Sequence, residues 1–290
     1  HVSLVGSEMC IRDSLKSYAK INLALNVTGK RNSMHKIESI ISFIDLHDLI
    51  SIQNIKSNNH KISFYGKFSK NIKRENTVQK LLDLLDRSNL LKNKKFKISI
   101  KKNIPQEAGL GGGSMNAAAI LNFFIKKKII KLTKINIEKL CNSIGSDVIL
   151  GINFSSSILK SNNQIKKFTK CPKYNTLLVK PNFGCSTKKI YSGVRKFTKP
   201  NLNSPKKQMF SSNYLIQQVN ALEKIAFLKY PRLKNIKLFL KNLNSPLFVR
   251  MTGSGSAICA YYQYSKDCKL AKIQFKRKFK NYWCNVSKTI

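Results

Sequence analysis

Four of the thirteen glycines, Gly109 and Gly111 to Gly113, fall within five residues. They lie in the run Pro105-Gln106-Glu107-Ala108-Gly109-Leu110-Gly111-Gly112-Gly113-Ser114-Met115-Asn116-Ala117-Ala118. An alternating apolar stretch at 96–101 leads into the run, and small residues lead out of it. A strand, a glycine turn and a small-residue helix together present backbone N–H groups to a phosphate. The glycines let the main chain come close, and the helix N-terminus adds a favourable dipole. An ordinary flexible turn is the plain alternative. The run is no Walker loop, since no Lys-Ser/Thr pair follows the last glycine. It is no dinucleotide fingerprint either, lacking an acidic residue about 20 positions on at a second strand end. Two further groups could serve phosphate chemistry. Asp147, one of only thirteen acidic residues, closes the turn Gly145-Ser146-Asp147. Lys20 and Asn22 share the polar face of a strand whose other face is aliphatic. Taken alone, Asp147 also reads as a helix-ending turn residue, and Lys20 as a solvated strand position among forty-six lysines.

The elements that must position these groups can be read from periodicity. Leu15, Ala19, Ile21, Leu23, Leu25 and Val27 alternate with polar residues, which predicts a half-buried strand ended by Gly29. Further strands are expected at 37–46, 49–55, 61–64 and 96–101, the last stopped by Pro105, with an amphipathic helix at 77–91. Ser114 is a natural N-cap for a helix over 115–129, and a second helix over 136–144 leads into Gly145. The polar stretch 155–163 is the expected domain boundary. Beyond it come a strand at 176–180, helices at 187–194, 213–229 and 232–243, and a strand near Phe248. Gly253-Ser254-Gly255 interrupts before a strand at 257–264, a basic helix at 266–280 and a last strand at 283–286. Runs of strands followed by helices, twice over, predict an α+β protein rather than a doubly wound sheet.

Composition narrows the function. Hydrophobic residues make up 42% of the 290, enough for a real core. No apolar run approaches the roughly 20 residues that span a bilayer. Fifty-four Lys and Arg against thirteen Asp and Glu give +41, a balance that suits a polyanionic partner. Yet the lysines are scattered, and the chain is equally crowded with Asn and Ile, as AT-rich codons would make it. Arg, the better fork for bases and phosphates, appears only eight times. The excess is read as coding bias, with no dedicated nucleic-acid partner. Seven cysteines without a C-x-x-C pair argue against a disulfide framework or a zinc knuckle. Residues 1–14 lack the pattern of a secretory signal and match nothing that follows. They are read as a disordered or extraneous leader, and the protein as cytoplasmic.

Four segments together resemble the GHMP kinases, the family of galactokinase, homoserine, mevalonate and phosphomevalonate kinases. The glycine run is an expanded form of that family's phosphate loop. Tyr18-Ala19-Lys20-Ile21-Asn22-Leu23, with Val27-Thr28-Gly29-Lys30-Arg31 following, is similar to its opening strand. Gly145-Ser146-Asp147-Val148 is similar to its second motif, and Met251-Thr252-Gly253-Ser254-Gly255-Ser256-Ala257 to its third. In this order they carry the resemblance from about Ser17 to the end of the chain. The long loop narrows it to the branch acting on a cytidine diphosphate-linked methylerythritol. Tyr18 replaces a usual proline, Met115 the second serine of the loop, and Met34 a tyrosine that stacks on cytosine.

The resemblance implies a two-domain fold. Residues 15–154 would form an N-terminal ATP-binding domain of the ribosomal protein S5 domain 2 type. Residues 155–290 would form a smaller ferredoxin-like α/β sandwich. It implies ATP-dependent phosphorylation of the 2-hydroxyl of the substrate. Such a transfer needs positioning, charge neutralisation and an acceptor for the hydroxyl proton. Asp147 would take the proton, and Lys20 would stabilise the attacking oxygen. Pro105 to Met115 would hold ATP, and Asn22, His35 and Tyr191 would bind the substrate. Mg²⁺ would come with the triphosphate, with Ser114 as its candidate protein contact. The expected assembly is a monomer or weak homodimer without membrane attachment. Two rivals stay open, another GHMP kinase of homoserine or mevalonate type and a non-enzymatic RNA-binding protein.

Overall fold

The structure is a computed structural model that describes residues 13–31 and 34–290. The chain opens with two long strands, β1 (Asp13–Arg31) and β2 (Met34–Ile55), then β3 (Lys61–Tyr65), helix α1 (Thr77–Arg87) and β4 (Lys95–Lys101). Helices α2 (Gly112–Lys126) and α3 (Lys134–Ile144) follow, then a 3₁₀ turn, Val148–Gly151, and strands β5 (Ser156–Leu159) and β6 (Ile165–Phe168). The second half holds β7 (Asn175–Lys180), α4 (Thr187–Tyr191), a 3₁₀ turn at Lys207–Phe210, α5 (Ser212–Ile216), α6 (Glu223–Lys229) and α7 (Pro231–Lys241). It ends with β8 (Phe248–Met251), β9 (Ile258–Tyr262), α8 (Ser265–Lys278) and β10 (Trp283–Lys288).

The α+β expectation holds, in two sheets. The first runs β3-β4-β2-β5-β6, with β1 antiparallel along nearly the whole of β2. The second, β10-β7-β9-β8, is antiparallel throughout. The chain leaves the first sheet at 169–174 rather than at 154/155, because β5 pairs on Ser39 to Ile41 of β2 and β6 pairs on β5. Of the expected leader, residues 1–12 lie outside the described residues. Asp13 and Ser14 already pair with β2, and Asp13 meets Lys127 at 3.1 Å.

Three departures from the expected elements matter for the site. The strands expected at 37–46 and 49–55 are one strand, since the polar pair His47-Asp48 does not break it. Asp48 is buried, and its carboxylate accepts from the backbone N–H groups of Asn103 (2.7 Å) and Ile104 (2.9 Å), from Asn116 (3.1 Å) and from Lys102. That carboxylate therefore ties the entry of the glycine run to the helix leaving it. Second, α2 starts three residues early. Its N-cap is Gly111 at φ 70°, and Ser114 sits inside the first turn. Third, the helix expected over 213–229 is split into α5 and α6. Between them Asn220 turns inward and donates to the carbonyls of Met251 and Gly253, both at 2.8 Å.

β1 is the seam of the molecule. Its aliphatic face (Ala19, Ile21, Leu23) shares an interior with Leu178, Cys259 and Tyr261 of the second sheet. Its polar face is covered too, so the strand is buried on both sides rather than half-buried, and Lys20, Asn22 and Asn26 are each at most 5% exposed. Bulges after Tyr18, Asn22 and Val27 adjust which residues face which side. Among the described residues no helix is long and apolar enough to cross a membrane.

Candidate active site

Burying the ammonium of Lys20 is costly unless it is paired and hydrogen-bonded. Its Nζ lies 3.2 Å from Asp147 Oδ2 and donates to Asn22 Oδ1 at 2.8 Å. The Asn22 amide group donates in turn to Ser39 Oγ at 2.8 Å, and Ser39 donates to the carbonyl of Ala24. Asn22, expected as a substrate ligand, thus spends both ends of its amide within the protein and orients Lys20. The lysine is covered, whereas the Asp147 side chain keeps a third of its surface exposed. The pair offers one carboxylate outward and one fixed cation behind it.

The glycine run is bonded to the same strand. The backbone N–H of Lys20 donates to the Leu110 carbonyl at 3.1 Å. Gly111, in the left-handed region, passes so close to Lys20 that a Cβ there would lie 2.8 Å from the lysine Cγ. On its other side the run meets the turn after β8. A Cβ on Gly109 would lie 2.1 Å from the Thr252 carbonyl oxygen, and Thr252 Oγ1 donates to the Gly109 carbonyl at 3.2 Å. Ser256 and Ala257 donate backbone N–H groups to the carbonyls of Glu107 and Ala108. Only glycine combines the positive φ at 109 and 111 with these approaches. Within the run, Pro105, Ala108, Leu110 and Met115 are buried. Gln106 donates to the carbonyls of Phe68 and Lys70. The Gly111–Ser114 turn that opens α2 is left at least partly open.

Asp147 is carried by the turn between α3 and the 3₁₀ segment, which is fastened to α2. A Cβ on Gly151 would lie 2.6 Å from that of Ala118, and Asn122 donates to the Gly151 carbonyl at 2.8 Å. Small residues on α2 thus let the Asp147 turn settle beside the helix that begins in the glycine run. Ser114 faces the same turn, its Oγ 3.9 Å from where a Cβ on Gly145 would be.

A second cluster stands beyond the carboxylate. The rings of His35 and Tyr191 lie 5.2 Å apart at 39°, and Phe197 approaches His35 at 6.5 Å and 56°. Burial pushes the Tyr191 hydroxyl above its ordinary pKa, and the Asp147 charge pushes it further. That coupling puts Tyr191 within electrostatic reach of the Asp147 carboxylate. His35 is held below its usual value by burial and by Lys30. Met34, beside it in sequence, is 75% exposed.

Residues 76–158 match the model of the GHMP kinases N terminal domain. A 4-diphosphocytidyl-2-C-methyl-D-erythritol kinase of Pelagibacter ubique (strain HTCC1062) is 59% identical over 276 residues, covering 95% of this chain and 98% of that one. The chain belongs to the 4-diphosphocytidyl-2-C-methyl-D-erythritol kinase family. A relative of the same name from Clostridium perfringens (strain SM101 / Type A) is 32% identical over 285 residues, covering 95% and 98%. The fold agrees. A crystal structure of a 4-(cytidine 5'-diphospho)-2C-methyl-D-erythritol kinase matches with a TM-score of 0.78 at 22% identity, over 95% of this chain and 99% of that one.

This family member is a kinase, and its site holds residues that reading the sequence missed. Ser39 carries no motif signal; only the fold of β2 against β1 brings its hydroxyl to Asn22. Thr252 lies in a motif already singled out. Its role is a clamp, accepting the Asn22 backbone N–H at 3.0 Å while donating to Gly109. Phe197 lies outside every motif.

Proposed function

We propose that this kinase moves the γ-phosphoryl group of ATP to the 2-hydroxyl of 4-diphosphocytidyl-2-C-methyl-D-erythritol, with Asp147 as proton acceptor. The observation that carries the reading is the Lys20–Asp147 pair, 3.2 Å apart beside the N-terminus of α2. The substrate hydroxyl oxygen attacks the γ-phosphorus as its proton passes to the Asp147 carboxylate. The bond to the β–γ bridging oxygen breaks, leaving ADP and a phosphate monoester. Lys20 faces the oxygens on which negative charge accumulates, and the N–H groups of the Gly111–Ser114 turn receive the phosphates of the donor. His35 and Tyr191 receive the cytosine end, on the far side of Asp147.

Magnesium enters with ATP as part of the substrate. Among the described residues no three His, Cys, Asp or Glu side chains converge on a metal site. The hydroxyl of Ser114, which faces the Gly145 turn, is the hard oxygen that would touch an ion held mainly by phosphates and water. When bound, the ion neutralises triphosphate charge.

The test is a panel of acceptor alcohols offered with ATP, read as ADP release and product mass. The cytidyl-linked methylerythritol should be phosphorylated with the highest kcat/KM. Preferential turnover of homoserine or mevalonate would sink the assignment.

A further inference from the structure

Phe197 belongs to no motif, yet it is 49% exposed and its ring stands against His35. A single exposed phenylalanine needs no explanation. This one is different because its backbone is held in place by an unusual expenditure of polar groups. Thr198 donates both its N–H (2.9 Å) and its hydroxyl (3.3 Å) to the Val27 carbonyl of β1. Three residues on, Asn201 and Leu202 donate backbone N–H groups to Glu38, at 2.9 and 3.0 Å. Asn26 completes that set, donating to Glu38 and to the Asn201 side chain.

Glu38 is fully buried on β2, three residues from His35. In a chain of forty-six lysines, its carboxylate is bonded instead by the backbone amides of one irregular segment and by the Asn26 side chain. A charge without solvent is tolerated only when donors of this kind satisfy it. The result is a fixed strut between β2 and the segment behind α4, with an aromatic side chain beside the His35–Tyr191 pair.

We infer that Phe197 is a specificity-determining residue of the substrate site, supplying a flat apolar face for the nucleobase beside His35 and Tyr191. The inference rests on the substrate proposed above. Every base has a π-face, and aromatic side chains bind it by stacking while polar groups read its edge. His35 supplies the polar edge here, and Tyr191 and Phe197 the aromatic surface around it. Glu38 acts through the backbone and is a positioning residue.

The experiment uses the full chain and CDP as probe. Phe197→Leu should weaken CDP binding about tenfold and raise KM for the cytidyl substrate by a similar factor, the scale of one lost stacking contact. Inorganic pyrophosphate affinity, KM for ATP, kcat and Tm should stay within about twofold or a few degrees of wild type. Phe197→Tyr, which keeps the ring, should restore CDP binding. CDP affinity unchanged in folded Phe197→Leu would overturn the inference while leaving the kinase reading intact. So would a loss that Phe197→Tyr does not repair. Wild-type protein that neither binds CDP nor phosphorylates the substrate would overturn both.

Discussion

At the proposed phosphate end the side chain of Lys20 and the glycine run are held by close contacts. Lys20 is closed in by Asn22, Asp147 and the bare Cα of Gly111, and Gly109 leaves no room beside Thr252. At the proposed base end the surface is half-exposed, built from two rings of one segment, Tyr191 at the end of α4 and Phe197 behind it, that reach His35 of β2. One end demands a particular atom at a particular place. The other demands a flat apolar face, which several positions can provide. Substitutions at the first end should therefore act on kcat and the fold, and those at the second on KM, with smaller effects.

The largest effect belongs to Asp147→Asn. The amide is nearly isosteric but takes no proton and carries no charge. General-base assistance is worth about 10²–10⁴-fold, so kcat should fall by that factor, roughly 3–5 kcal/mol, with substrate affinities nearly unchanged. Lys20→Met should do comparable damage, and the double variant little more, because the two groups act as one unit. Steady-state kinetics on folded protein decide it. More than about a tenth of normal turnover in Asp147→Asn would strip the carboxylate of its role.

The two left-handed glycines of the glycine run, Gly109 and Gly111, should separate catalysis from folding. An alanine at either costs about 1–2 kcal/mol in backbone conformation alone. At Gly111 the added Cβ meets side-chain rather than backbone atoms, 2.8 Å from the Lys20 Cγ, so Gly111→Ala should lose kcat about tenfold or more as the ammonium shifts, with a smaller loss of Tm than at Gly109. At Gly109 it meets a backbone carbonyl at 2.1 Å, which cannot yield. Gly109→Ala should therefore lower Tm first, by about 5 °C or more. Thermal melts beside kinetics would show whether the two losses part in this way.

Glu38→Gln tests the strut of the base end. Replacing the carboxylate weakens charge-assisted bonds from Asn201 and Leu202, each worth about 1.5–3 kcal/mol at most. KM for the cytidyl substrate should rise several-fold while KM for ATP stays put. An equal rise in both would mean that the strut serves the whole site, not one end of it.

The same division governs what could be read in the sequence. The short runs of the proposed phosphate end were visible in the sequence because they are local, but Asp147 and Lys20 took their roles only from the resemblance to the GHMP kinases. Glycines at fixed spacing, an aspartate after a glycine turn and a lysine on a strand's polar face are features of short runs. What stayed hidden depends on partners far along the chain. Asp48 looks like part of a polar turn until Asn103, Ile104 and Asn116 are seen around it. Asn220 sits in a run of helical period, and only the carbonyls of Met251 and Gly253 make it a break. Ser114 has the chemistry of an N-cap, but Gly111 reaches a left-handed conformation that starts the helix earlier. The base end was half legible. His35 and Tyr191 came from the resemblance, whereas Phe197 is placed by a buried glutamate that no local pattern announces.

The smallest effect should come from Met34→Tyr, and it sharpens the comparison most. Met34 opens β2 next to His35, where the resemblance to the GHMP kinases implies a tyrosine. At 75% exposure the new ring would bury little surface, so stability should move by no more than about 0.5 kcal/mol. If the base already rests on Tyr191 and Phe197, a further ring adds little, and KM for the cytidyl substrate should change by less than about threefold. In the Phe197→Leu background the same tyrosine has a missing face to replace, and it should recover part of the tenfold loss. The two substitutions should thus be non-additive, with coupling read from a double-mutant cycle on KM. A gain above tenfold in the wild-type background would mean that the base end lacks an aromatic wall. Phe197 would then be only a surface residue, and the tolerance argued for this end would have to be given up.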